Sequence, residues 1–330
     1  MITLDDSPIV PSRIPTGLAR YRDRRPMARG GNGMLQSGFD QIIGRSVAIK
    51  MLLPEHRSLP SFRRRLLREA RVTAQIEHPG TVAVYDVGDD EELGIYYTMA
   101  RISGESFFDV LRGIAQRKQD TVAAYPLKRR LEVISEICQT LSFAHACGVV
   151  HRDVKPANIY VGNFGEVTLL DWGSAKVWGL PALDNSDTLL PTSRSGHFGA
   201  VIRSVRHRDG DFEISPLTPA QQLIGTPTYM SPEQIGNKNI DERSDIFSVG
   251  VCLYEAMAIA EPFRGINEEE TFDNICSRAP TPPCERSPGL GIPQIADDIF
   301  ARATAKQPSA RYQSMRELID AIHSLIDAVA

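Results

Sequence analysis

HRDVKPAN at 151–158 and LLDWG at 169–173 are the two stretches of this chain that carry the most information. Between them they supply two aspartates, an asparagine and a lysine at close spacing. A hard divalent cation takes oxygen ligands, and one that bridges phosphate oxygens is held by few protein groups, commonly one or two carboxylates. Asn158 and Asp171 are residue types that can hold such a cation, and Asp153 one that can accept a proton from an attacking hydroxyl. Taken singly, a His-Arg-Asp tripeptide or an Asp-Trp-Gly turn is a weak signal; their joint order and spacing carry the weight.

Upstream, SVAIKMLL at 46–53 is β-branched and apolar around a single lysine, Lys50, and reads as a buried strand ended by Pro54. SFRRRLLREARVTAQIE at 61–77 places Phe62, Leu66, Ala70, Thr73 and Ile76 on one face of a helix that His78-Pro79-Gly80 stops. Two strand-like runs follow, TVAVYDVG from Thr81 and GIYYTMARI from Gly94, the first closed by an acidic turn at Asp89–Glu92. Beyond Gly104 the pattern turns helical. Leu131, Ile134, Cys138, Leu141 and His145 recur within 127–147, while 245–257 is almost wholly apolar and 312–328 is amphipathic. An α+β chain is expected, with a small sheet region bearing one helix followed by a larger, mainly helical region.

These residues resemble the eukaryotic-like serine/threonine protein kinases, in a style closer to bacterial members, from about Tyr21 to Ala328. VAIK with Lys50, GTPTYMSPE at 225–233 and DIFSVG at 245–250 appear in the family's order beside the two opening segments. Residues 1–17, with three prolines and little periodicity, read as a mobile extension; the resemblance implies a bilobal fold, with 18–102 an antiparallel β-sheet lobe and 103–330 a helical lobe. It also implies transfer of the γ-phosphate of ATP, with Mg²⁺, or Mn²⁺ in its place, to Ser or Thr hydroxyls of protein substrates. Lys155, two places after Asp153, matches the serine/threonine members. The other reading is a scaffold that keeps the fold and binds nucleotide or partners without efficient catalysis; GTPTYMSPE, a peptide-docking element, speaks against a small-molecule kinase.

Residue by residue, the resemblance gives Asp153, Lys155, Lys50 and Glu69 catalytic roles and Asn158 and Asp171 the metal. An ammonium among apolar residues needs anionic partners, which would be the nucleotide phosphates and Glu69 for Lys50. ARGGNGML at 28–35 aligns with the phosphate-covering loop as Ala28, Gly30, Gly31, Gly33 and Leu35, with alanine where the first glycine usually stands. Ala48, Met99, the backbone of Ala100 to Ile102, and Tyr160 complete the expected nucleotide pocket. Trp172, in place of the family's phenylalanine, is expected near His151. Glu233 with Arg311 and, separately, Asp245 match structural anchors.

Asp171 and Glu233 are 62 positions apart, about twice the family's spacing, so an insertion over about 176–222 is expected in the activation segment. Arg152 is of the type that pairs with a phosphorylated residue there, and Thr192, Ser195 and above all Thr218 are candidates for autophosphorylation through self-association. Thr226 is expected at the substrate site. A net charge of −4 gives no nucleic-acid signature. Five unpaired-looking cysteines, no signal-like start and no long apolar run point to a cytoplasmic chain without a membrane segment.

Overall fold

The computed structural model describes residues 15–30, 33–177 and 227–329. These form two compact units, one reaching to Glu77 and including Val82–Ser103, the other made of His78–Thr81 and the chain from Gly104 on.

In the first unit five strands form an antiparallel sheet: β1 (Tyr21–Arg29), β2 (Gly33–Asp40), β3 (Arg45–Leu52), β4 (Val84–Asp90) and β5 (Gly94–Ala100), in the order β1-β2-β3-β5-β4. Helix α1 (Pro60–Gln75) lies between β3 and β4 in sequence. The apolar run expected as a strand is β3, and it is apolar on both sides because both faces are covered. Val47, Ile49 and Met51 join Leu18, Tyr21 and Tyr96 on one face. Leu52 lies on the other with Ile95, Tyr97 and the α1 residues Leu66 and Ala70. Burying a side chain of this size contributes about 1.5–3 kcal/mol, so the period-3.6 face of α1 and the period-2 faces of the sheet fix each other. The acidic turn closes through Asp90, whose Oδ1 accepts the N–H groups of Glu92 and Leu93.

The second unit is mainly helical: α2 (Phe107–Ala115), α3 (Gln119–Ala124), α4 (Leu127–Ala146), α5 (Pro232–Ile235), α6 (Glu242–Ala258), α7 (Glu268–Ser277), α8 (Pro283–Arg286), α9 (Ile295–Ala303) and α10 (Met315–Ala328). Its short strands are β6 (Glu105–Ser106), β7 (Val149–Val150), β8 (Ile159–Val161), β9 (Val167–Leu169) and β10 (Lys176–Val177), with β8 between β6 and β9 and β7 paired to β10. Helix α6 is buried from Ser244 to Ala258 and forms the middle of the core, with α4 packed on it and α10 on α4. The C-terminal helix begins at Met315, later than the apolar pattern suggests, because Ser314 caps it by accepting the Glu317 N–H. Tyr312 is buried before that start.

Glu255 is a buried carboxylate inside α6 and accepts a hydrogen bond from the Tyr229 hydroxyl at 2.7 Å. Burial pushes its pKa up to about 7; nearby Glu261 adds to the rise, while the Tyr229 hydrogen bond and Arg264 oppose it. A carboxyl with a raised native pKa stabilises most below its unfolded value and loses that contribution as pH climbs through the native one. Glu255→Gln keeps the hydrogen bond and removes the titration. Wild type is therefore expected to lose on the order of 3 kcal/mol relative to Glu255→Gln between pH 4.5 and 7. Urea denaturation of both proteins across that window checks it, and parallel curves would exclude the raised pKa.

Candidate active site

The candidate residues fall into two groups, one in each unit. In the second unit, β8 and β9 form a hairpin with Ile159 opposite Leu169. Asn158 stands just before β8, and the Leu170 N–H donates to its carbonyl at 2.8 Å, so Asn158 and Asp171 come to the same end of the hairpin. The Asn158 amide donates to the Asp153 carbonyl at 2.8 Å and to Asp153 Oδ2 at 3.2 Å. With its nitrogen so engaged, the side-chain oxygen of Asn158 remains for a cation. Lys155 Nζ donates to the same Asp153 oxygen at 2.8 Å. Asp171 is exposed and takes a left-handed backbone, φ 63°, with its Oδ1 accepting the Gly173 N–H at 3.3 Å. Tyr160 lies half-buried in β8, opposite Ser106 and Thr168.

No cluster of three or more His, Cys, Asp or Glu side chains able to hold a metal occurs among the described residues. One carboxylate and one amide oxygen do not make a complete cage. They do fit a cation that keeps several waters and takes phosphate oxygens from a bound nucleotide, the habit of Mg²⁺.

The segment bearing Asp153 is pinned from below. Asp245, fully buried near the start of α6, accepts the backbone N–H groups of His151 and Arg152, both at 2.8 Å, and a hydrogen bond from His145 Nε2 at 2.8 Å. Burial opposes the charge on Asp245, yet the His145 hydrogen bond and the backbone donors hold its pKa below the usual aspartate value. Arg152 is kept at φ 68°, a region that ordinary side chains rarely adopt. Its carbonyl accepts from Gln234, and its own Nε donates to the Ser174 carbonyl. The Asp153 N–H donates to His151 Nδ1, so the proton of that ring sits on Nε2 and goes to the Leu170 carbonyl at 3.0 Å. Trp172 is buried edge-on to the His151 ring, with centroids 4.6 Å apart, and its indole N–H has no hydrogen-bond partner among the described residues.

In the first unit, cross-strand register sets Ala28, Leu35, Lys50 and Tyr97 in one row across β1, β2, β3 and β5. Ala48 and Met99 are partners two residues along, so these six side chains share a sheet face. Lys50 forms an ion pair with Glu69 of α1, and Tyr97 donates to the same carboxylate oxygen at 2.8 Å. Gly30 and Gly33 close the β1–β2 turn through a 2.9 Å backbone hydrogen bond. A β-carbon on Gly33 would stand 2.7 Å from the Met51 carbonyl oxygen, so this position excludes every other residue. Ala100 continues β5 with its N–H on the Ala83 carbonyl, and Ile102 follows in irregular backbone.

Away from these groups, Arg311 makes a two-pronged pair with Glu233 at 2.7 and 2.8 Å, and both are buried. Ser244 Oγ donates to the same carboxylate. Gly31, Thr192, Ser195, Thr218, Thr226 and the expected insertion, apart from Lys176 and Val177, lie outside the described residues. Three participants escaped sequence reasoning. Tyr97 and Gln234 carry no motif, and His145 registered only as one more recurrence on the buried face of α4.

An anchored Asp-x-Lys-x-x-Asn segment with a metal-suited Asp beside it in the second unit, and a strand lysine paired to a helix glutamate in the first, are each arrangements of the protein kinase class. Comparison with known families agrees: the protein kinase domain model matches residues 21–193 and 195–322, and the chain belongs to that family. Its members use ATP with a divalent cation and act on proteins. Among its relatives are proteins called serine/threonine-protein kinase PknD. That of Chlamydia muridarum is 31% identical over 310 residues, that of Chlamydia trachomatis serovar L2b 31% over 311, and that of Chlamydia pneumoniae 30% over 311. The matches cover 92%, 92% and 93% of this chain and 31% of each relative, so the chain spans less than a third of their length. No helix among the described residues is long and apolar enough to cross a membrane.

Proposed function

We propose that the protein acts as a serine/threonine protein kinase, carrying the γ-phosphate of ATP to hydroxyls of protein substrates and of a second copy of itself. The observation that supports this most is the shared oxygen of Asp153, held by Lys155 at 2.8 Å and Asn158 at 3.2 Å, at the end of the hairpin that carries Asp171. In this scheme Asp153 orients the attacking hydroxyl and takes its proton, while Lys155 stabilises charge developing on the transferred group. Asn158 and Asp171 would hold Mg²⁺, with Mn²⁺ a substitute; the cation, when bound, neutralises charge on the phosphate oxygens. Lys50, oriented by Glu69 and Tyr97, would pair with the nucleotide phosphates. Ala28, Gly30, Gly31, Gly33 and Leu35 would cover them, Ala48, Met99, Ala100 and Ile102 of the first unit would contact the adenine, and Tyr160 is the second unit's candidate for adenine contact.

Serine and threonine are favoured over tyrosine as acceptors by Lys155, which matches that branch of the family, and by the names of the relatives. The test is incorporation of labelled γ-phosphate into the chain and into a generic basic protein, with Asp153→Asn and Asp171→Asn alongside. Wild type is expected to label both and the two variants neither. Incorporation indifferent to both substitutions would refute the assignment.

A further inference from the structure

Beside Asp153 and Lys155 the second unit opens a groove of about 620 Å³, and its walls bear on which proteins the site accepts. Lys155, whose ammonium bonds Asp153, also lines this groove, so the groove is continuous with the place of phosphate transfer. Its lining includes Ile266, 93% exposed, and Phe108, 43% exposed, together with Ala157 and Pro227. Large apolar side chains grouped at an exposed concave surface mark a site that takes an apolar partner.

The charged groups of the wall do not compete for that role. Two are basic, Lys155 and Arg264, and two acidic, Glu261 and Glu268, so the lining has no net charge. Arg264 is paired with Glu261 at 2.7 Å and Lys155 with Asp153 at 2.8 Å, while Glu268 sits in the first turn of α7, where the helix dipole favours an acid. An acidic substrate residue would find both basic groups already paired.

We infer that this groove selects protein substrates with a large aliphatic or aromatic side chain near the phosphorylated serine or threonine, and that Ile266 and Phe108 are the residues that read it. This rests on the kinase reading proposed above. The experiment uses the full chain and synthetic peptides with one serine acceptor in an alanine background. Leucine, phenylalanine, arginine or glutamate is moved through the five positions on either side. At one position leucine or phenylalanine is expected to raise kcat/KM by about tenfold or more over alanine, mainly through KM. In Ile266→Glu, a change at a side chain that touches no core, that ratio is expected to fall close to one.

Equal rates for all peptides, a preference for arginine or glutamate, or an apolar preference that survives both Ile266→Glu and Phe108→Ser would overturn the inference while leaving the kinase reading intact. Absence of label from every peptide and from the chain itself would instead overturn the kinase reading, and the inference with it.

Discussion

Asp153→Asn is expected to lower kcat by on the order of 10²–10⁴-fold, the range seen when a positioned general base is lost. That is a barrier increase of about 3–5 kcal/mol. Asparagine has the shape of aspartate, and its oxygen can still accept from Lys155 Nζ and the Asn158 amide, as Asp153 Oδ2 does. What it lacks is the charge that, in the proposed scheme, draws the proton from the acceptor hydroxyl. The backbone that carries it is held by Asp245 and His151 and is untouched by the change. The melting temperature and the KM for ATP are therefore expected to stay near the wild-type values while kcat collapses. A variant with undiminished kcat would remove Asp153 from the chemistry, and one that melts early would show its role to be structural. Steady-state kinetics and a thermal scan of the same preparation separate the two.

Arg311→Ala is expected to destabilise the protein by about 3–5 kcal/mol, because truncation leaves a buried carboxylate without its cation. The Arg311 side chain is wholly enclosed, and besides Glu233 it serves the carbonyl oxygens of Ala305 and Arg243, each at 2.7 Å. Without it, those carbonyls lose a donor and Glu233 keeps Ser244 Oγ as its side-chain donor among the described residues. Burial works against the Glu233 charge, but the Arg311 hydrogen bonds outweigh it and hold the pKa below the usual value. A carboxyl with a depressed native pKa gives its full stabilisation above its unfolded pKa and loses it as pH falls through the native one. Wild type should therefore lose this contribution on acidification below about pH 4.5. In Arg311→Ala the lone buried carboxylate is better protonated, so the sign reverses and the deficit narrows as pH falls. Urea titrations of wild type, Arg311→Ala and the paired change Glu233→Gln with Arg311→Met test this. A deficit that ignores pH, or a pair no better than the single variant, would count against it.

Local signals made the architecture legible from sequence. The run around Lys50 had the composition of a strand covered on both faces, and α1, α4 and α6 each declared themselves by apolar period or continuous burial. The motif residues were readable for a similar reason: Asp153, Lys155 and Asn158 lie within one short segment, so their spacing in the chain already implies proximity. Partners assembled by long-range register were not readable. Tyr97 reaches Glu69 only because β5 lies beside β3 with Tyr97 opposite Lys50. His145 serves Asp245 across 100 positions, and nothing near either residue announces the other. Short helices such as α7 and α9 offered too few turns for a periodic pattern to stand out from the surrounding polar chain.

The clamp that Asp245 places on the backbone at His151 and Arg152 has a practical corollary for anyone designing small molecules against Asp153. Moving that loop would break two amide hydrogen bonds to a desolvated carboxylate, so the carboxyl presents itself as a fixed wall to an incoming compound. Potency gained there will come from matching a static shape, and little will come from coaxing the protein into a new one.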